Sequence, residues 1–145
     1  MQSGKFFGKI NLQTAINDES DTQKTTVEAE GELYQTSRQT VIRFTEKIED
    51  QPEVKVMITV KPDQVTIKRS GGVAMNQKFK PEQKTETIYR HQFGSLRMET
   101  FTNYFHYQPL TSTTNACLKI DYTTKLNGES ERQHKLELSI EEDKS

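Results

Sequence analysis

Apolar and polar residues alternate with a period of two from one end of the chain to the other. Ile10, Leu12, Thr14 and Ile16 alternate with Asn11, Gln13 and Ala15, and Val27, Ala29, Gly31 and Leu33 with Glu28, Glu30 and Glu32. The same rhythm runs through 42–46, 54–60, 65–69, 75–79, 89–93, 96–102, 118–126 and 136–140. Successive side chains of a strand point to opposite faces, so each run predicts a strand with one buried and one solvated face. No segment carries a sustained helical period.

The gaps are short and hold turn residues. Lys61-Pro62-Asp63-Gln64 predicts a tight hairpin with proline at the second turn position, and Asn127-Gly128 is the strongest hairpin signal. Further turns are predicted at Asn17-Asp18-Glu19-Ser20-Asp21, at Glu49-Asp50-Gln51-Pro52, at Ser70-Gly71-Gly72 and at Phe93-Gly94-Ser95. Only the Thr- and Ser-rich stretch 109–115, with the strand count around 104–114, stays open. Half-buried strands joined by hairpins form an antiparallel meander, and such a sheet must roll up to bury its apolar face. The expectation is an all-β fold: one antiparallel up-and-down barrel of about eight to ten strands over residues 1–145. A two-sheet sandwich is the runner-up.

Composition narrows the class without naming an activity. The chain has 145 residues, 31% of them hydrophobic and 28% charged, with a formal net charge of -1. Near-neutrality predicts no global attraction to nucleic acid or an anionic membrane, and the periodic apolar residues argue against disorder. A single cysteine, Cys117, excludes an intrachain disulfide framework. No apolar run of about 18 residues is present, and Met1 to Phe7 lacks the apolar stretch of a secretory signal. A soluble, cytoplasmic monomer or homodimer is expected, since an imperfectly closed barrel leaves edges that can pair.

Two charges break the apolar face. Arg69 shares the parity of Val65 and Ile67, and Glu46 that of Ile42 and Phe44, so both are predicted to point into the barrel. A buried ion must be paired, and the ordinary reading is a structural ion pair oriented by inward hydroxyls on Tyr89, Thr100 and Tyr122. The functional reading makes Arg69 the anchor of a ligand carboxylate or phosphate, because its planar fork binds such groups bidentately. His91, on the parity of Tyr89 and Phe93, joins the predicted lining. His106 and His134 complete the histidines, and no spacing makes the three converge on a metal. Cys117 reads as a passive outward residue.

Enzymatic motifs are missing. There is no nucleophile elbow, phosphate loop or dinucleotide fingerprint, and Ser70-Gly71-Gly72 joins two strands with no helix to present amides. Apart from Glu46, the carboxylates Glu28, Glu30, Glu32, Glu99 and Asp121 take outward parity. A non-enzymatic protein without metal or cofactor is expected.

A rival reading comes from Lys61, Lys68, Lys78, Lys80, Lys84, Arg90 and Arg97, which with Arg69 outnumber the three acids Asp63, Glu82 and Glu86 between 61 and 97. Most point outward on consecutive strands, as a patch for RNA or an acidic protein would. Phe79, Tyr89 and Phe93 take inward parity, however, leaving mainly Phe101 outside as a stacking platform. Basic surface without such platforms is more often a solvated face.

One segment carries a resemblance. Arg69-Ser70-Gly71-Gly72-Val73-Ala74-Met75-Asn76-Gln77-Lys78-Phe79 pairs a basic-then-glycine turn with a Met and a Phe in the next strand. A Tyr strand, the turn Phe93-Gly94-Ser95-Leu96, the strand Thr100-Phe101-Thr102 and the late strand Leu118-Lys119-Ile120-Asp121-Tyr122 follow. With Phe44-Thr45-Glu46, where the pattern has Tyr in place of Phe44, these elements resemble the YwiB-like family of Gram-positive bacterial proteins across residues 27–140. The resemblance implies a calycin-like (lipocalin-like) barrel and no known activity. The reading is thus a container whose interior, with Arg69, Glu46, Tyr89, His91, Thr100 and Tyr122, takes a small anionic ligand.

Overall fold

Ten strands occupy the alternating segments, in a computed structural model that describes residues 3–19, 21–47 and 49–143. Met1, Gln2 and Ser20, on which parts of the leader and first-turn expectations fall, lie outside that set. The strands are β1 (Gly4–Asp18), β2 (Asp21–Gln35), β3 (Thr40–Glu46), β4 (Val54–Val60), β5 (Val65–Gly71), β6 (Met75–Phe79), β7 (Lys84–His91), β8 (Gly94–Gln108), β9 (Ala116–Leu126) and β10 (Arg132–Glu142). All pair antiparallel in one sheet of order β6-β5-β4-β3-β2-β1-β10-β9-β8-β7. Among the described residues no helix is long and apolar enough to cross a membrane.

The register explains the roll. Apolar residues of like parity stand opposite one another: Leu33 on Ile42, Ile42 on Ile58, Ile58 on Ile67, Ile10 on Ile140, Leu12 on Leu138 and Leu138 on Leu118. These columns form the interior, where Leu33, Val65, Phe79 and Leu118 are wholly buried. Burying β-branched and aromatic side chains on one face drives the sheet to close.

Closure is incomplete in hydrogen-bonding terms. Between the edges β6 and β7 there is an isolated bridge, in which Ala74, the residue before β6, and Arg90 of β7 exchange two backbone hydrogen bonds of 2.8 Å. Along the rest of the seam, the Thr85 hydroxyl donates to the Lys78 carbonyl at 2.7 Å and the Thr87 hydroxyl to the Asn76 carbonyl. Threonine hydroxyls thus do what backbone amides do elsewhere in the wall.

The two ends differ. At one, the 109–115 segment folds in and buries Leu110, and Gln35 binds it from β2. This segment is a plug, and the strand count around it resolves simply: β8 runs unbroken to Gln108 through a register shift between Thr102 and Tyr104. That bulge reverses the parity, turning Phe105 and Tyr107 toward the core. At the opposite end lie the turns after β1, β3, β5, β7 and β9, and among the described residues nothing comparable folds over them. Asn127 and Gly128 both take left-handed φ (50° and 75°) and Glu129 N–H donates to Leu126 O at 2.9 Å, as an Asn-Gly hairpin turn requires. Gly71 has φ of 103°, and its hydrogen faces the Glu53 carbonyl where a Cβ would collide.

Candidate functional site

The unplugged end contains a cavity of about 270 Å³. Its floor is the apolar core at Leu12 and Leu136, and its walls carry Ile16, Val27, Met75 and Met98. Into it project Arg69 from β5, Glu46 from β3, Gln77 from β6, Tyr89 from β7, Tyr122 and Thr124 from β9, and His134 from β10. Each stands where its strand's apolar face continues toward the open end, so the alternation that builds the core also delivers these polar groups.

Arg69 and Glu46 meet as the alternation predicts. Arg69 Nη2 lies 3.8 Å from Glu46 Oε1, with side-chain exposures of 26% and 11%. At that distance the contact is ionic and too long for a hydrogen bond. Arg69 Nε is buried with no hydrogen-bond partner. The guanidinium's donors are therefore underused, in a place where desolvation makes that costly.

The opposite wall is a neutral stack. Tyr122 and His134 lie ring on ring, centroids 4.6 Å apart and planes 6° from parallel, while Phe79 meets Tyr122 edge-on at 4.8 Å. His134 Nε2 and the Thr124 hydroxyl are 2.7 Å apart. Burial pushes the Tyr122 phenol up to about 12, against an opposing pull from Arg69. Burial, helped by Arg132, holds the His134 imidazole down to about 4. Gln77 Nε2 donates to the Thr100 hydroxyl at 2.9 Å and lies 3.5 Å from Met98 Sδ.

The low His134 value has a consequence for stability. Between about pH 6.5 and 4 the unfolded chain binds a proton that the folded chain refuses, so stability falls as pH drops through that window and is complete above it. On going from pH 7 to 4.5, the wild type is expected to lose about 2 kcal/mol more than His134→Gln. Urea unfolding of both proteins at the two pH values measures the difference, in which titrations common to both cancel. Equal losses would show that His134 is not held neutral.

Four of the six residues anticipated as lining do line the cavity: Arg69, Glu46, Tyr89 and Tyr122. Thr100 stands one layer behind, as the acceptor of the Gln77 amide. His91 is outside it. Strand β7 ends at His91, whose Nδ1 accepts from Phe93 N–H at 3.1 Å and whose ring packs between Tyr89 and Phe93. Phe93 is likewise not inward: it sits in the β7–β8 turn, 86% exposed. Parity fails at Phe93 because the alternation continues in sequence past His91, the last residue of the strand, whereas His91 itself stays in the strand beside Tyr89 and outside the cavity. Gln77, Thr124 and His134 went unmarked although each shares its strand's inward parity, His134 with Leu136 and Leu138. That parity was the available signal.

The rest of the chemistry-bearing surface is outside the barrel. Lys68, Lys78, Arg90 and Arg97 point outward, Lys80 is half-buried beyond the end of β6, and Lys61 lies in the β4–β5 turn. Glu99 takes both Lys84 and Arg97 at 3.9 Å, so the basic face is partly neutralised. Phe101 is 39% exposed on this side. Cys117 faces Glu137 at 3.9 Å, and burial pushes its thiol up from the ordinary range. Among the described residues no three His, Cys, Asp or Glu side chains converge as a metal site would need. The outer face of β2 to β5 forms a groove of about 760 Å³, where Glu28, Glu30 and Glu32 confront Arg43, Lys55 and Lys68.

Comparison with known proteins agrees with this barrel. The chain is similar to an uncharacterised β-barrel protein, YwiB, of Bacillus subtilis (strain 168), with 24% identity over 132 residues that make up 91% of each chain. The crystal structure of YwiB superposes with a TM-score of 0.84, at 21% identity, covering 97% of this chain and 94% of the other. The model of a domain of unknown function, DUF1934, matches residues 10–138, and the chain belongs to that family.

Proposed function

We propose that the barrel is a calycin-like, non-enzymatic binding module that holds a small ligand in the cavity at its open end. The ligand presents an anionic group to Arg69. One observation carries this reading: a guanidinium in a polar cavity, with one donor lacking any partner and another held only at ionic distance by Glu46. An arginine kept only to neutralise Glu46 would gain most by closing into a bidentate contact. The cavity lies just below the usual size range of drug-sized ligand sites, as suits a smaller molecule, with apolar walls and a few converging polar groups.

Thermal unfolding of the wild type and of Arg69→Met against a panel of small carboxylates and phosphates tests the reading. A ligand present at about 100 times its Kd should raise the wild-type midpoint by about 5–10 °C and leave the variant unmoved. Equal shifts in both proteins, or none in either, would refute it. A change confined to the variant's own stability would leave Arg69 a structural partner of Glu46.

A further inference from the structure

We propose that the cavity selects a zwitterion, an apolar α-amino acid, with Arg69 taking its carboxylate and Glu46 its ammonium group. This rests on the reading that Arg69 anchors an anion, and it follows from the charge balance around that anchor.

Arg69 and Glu46 are the two formal charges in the cavity, and they stand 3.8 Å apart. A simple carboxylate seated on Arg69 would also sit beside the Glu46 carboxylate, which is largely shielded from water. Repulsion at that separation in a desolvated site opposes much of what Arg69 offers. A simple amine meets the mirror-image problem. A ligand that carries both charges on groups attached to one carbon lies antiparallel to the Arg69–Glu46 dipole and satisfies each end. No residual charge is left in the cavity.

The remaining lining fits the rest of such a molecule. Ile16, Val27, Met75 and Met98 offer aliphatic and thioether surface beyond the charged pair. Methionine side chains adapt to differently shaped apolar groups, which suits a site for one class of side chain and not a single shape. Tyr89 offers a hydroxyl and a ring face on the same side as Met98. Buried polar groups that are matched by one ligand and stranded by its analogue discriminate strongly, whereas an extra methylene does not. Selectivity should therefore be sharp for the two charges and loose for the side chain.

Three probes with one isobutyl side chain decide the matter: leucine, 4-methylpentanoate (no amine) and isoamylamine (no carboxylate). Calorimetric titration of wild type, Glu46→Gln and Arg69→Met is the measurement, with thermal melts confirming that each variant is folded. In the wild type, leucine should bind at least tenfold more tightly than either analogue. Glu46→Gln should reverse the order, weakening leucine and strengthening 4-methylpentanoate by about tenfold each, while Arg69→Met loses both. Should 4-methylpentanoate match leucine in the wild type, with Glu46→Gln indifferent, the zwitterion inference is overturned and the anion reading stands. Should none of the three bind while other anions do, the same conclusion holds. If nothing in either panel binds, both readings fall together.

Discussion

Phe79→Ala is expected to cost about 3–5 kcal/mol of folding stability, the largest loss of any single side chain considered. Phe79 has no exposed surface, stands opposite Val65 in the β5–β6 register, and supports Tyr122 edge-on. Truncation removes the apolar transfer energy of the ring and leaves a void beneath the cavity, because the surrounding strands cannot collapse onto it. Loss of the edge-to-face contact adds about 0.5–1.5 kcal/mol within that total. Urea unfolding measures the cost, and a loss below about 1 kcal/mol would show that Phe79 is not a core anchor. If the alanine variant does not fold, Phe79→Leu keeps the test, with an expected loss of about 1–2 kcal/mol.

Gln35→Leu is expected to cost about 2–4 kcal/mol, although it exchanges a buried polar residue for an apolar one of similar size. The Gln35 side chain accepts from Tyr107 O–H and from Leu110 N–H, both at 2.9 Å, and donates to the Leu110 carbonyl at 3.0 Å. Leucine would strand the Leu110 N–H and carbonyl and take one partner from Tyr107. Tyr107 is held as a phenol by burial, its pKa pushed up to about 12, and Thr40 stays within hydrogen-bonding reach of it, so the loss falls mainly on the two Leu110 backbone groups. The loss should appear as a lower urea midpoint with an unchanged slope, since the plug opens within the same cooperative unit. A neutral result would mean that the 109–115 segment is held by Leu110 packing alone.

The strand framework was legible because each apolar run alternates cleanly and a one-residue slip would turn it inside out. Arg69 and Glu46 were legible for the same reason: parity is a local property, and both lie well inside their strands. What failed was non-local. Phe93 continues the alternation in sequence, but β7 ends at His91, and nothing in period two marks where pairing stops or that His91 lies beyond the cavity. The bulge between Thr102 and Tyr104 reverses parity through one extra residue, which no local pattern announces. Gln77 and His134 were readable in principle. A polar residue on an apolar face is conspicuous when charged and easily passed over when neutral. The partnering of Gln35 with the distant Leu110 is set by tertiary closure and has no sequence signature.

The sheet order has a consequence for how the chain reaches this state. Among the described residues every ladder joins strands adjacent in sequence except one, between β1 and β10. On a ribosome the hairpins can zip one after another as they emerge, yet the first strand's second flank must wait for the tenth. Until then β1 offers Ile10 and Leu12 along an unsatisfied border, so the nascent chain is most vulnerable to mispairing late in translation.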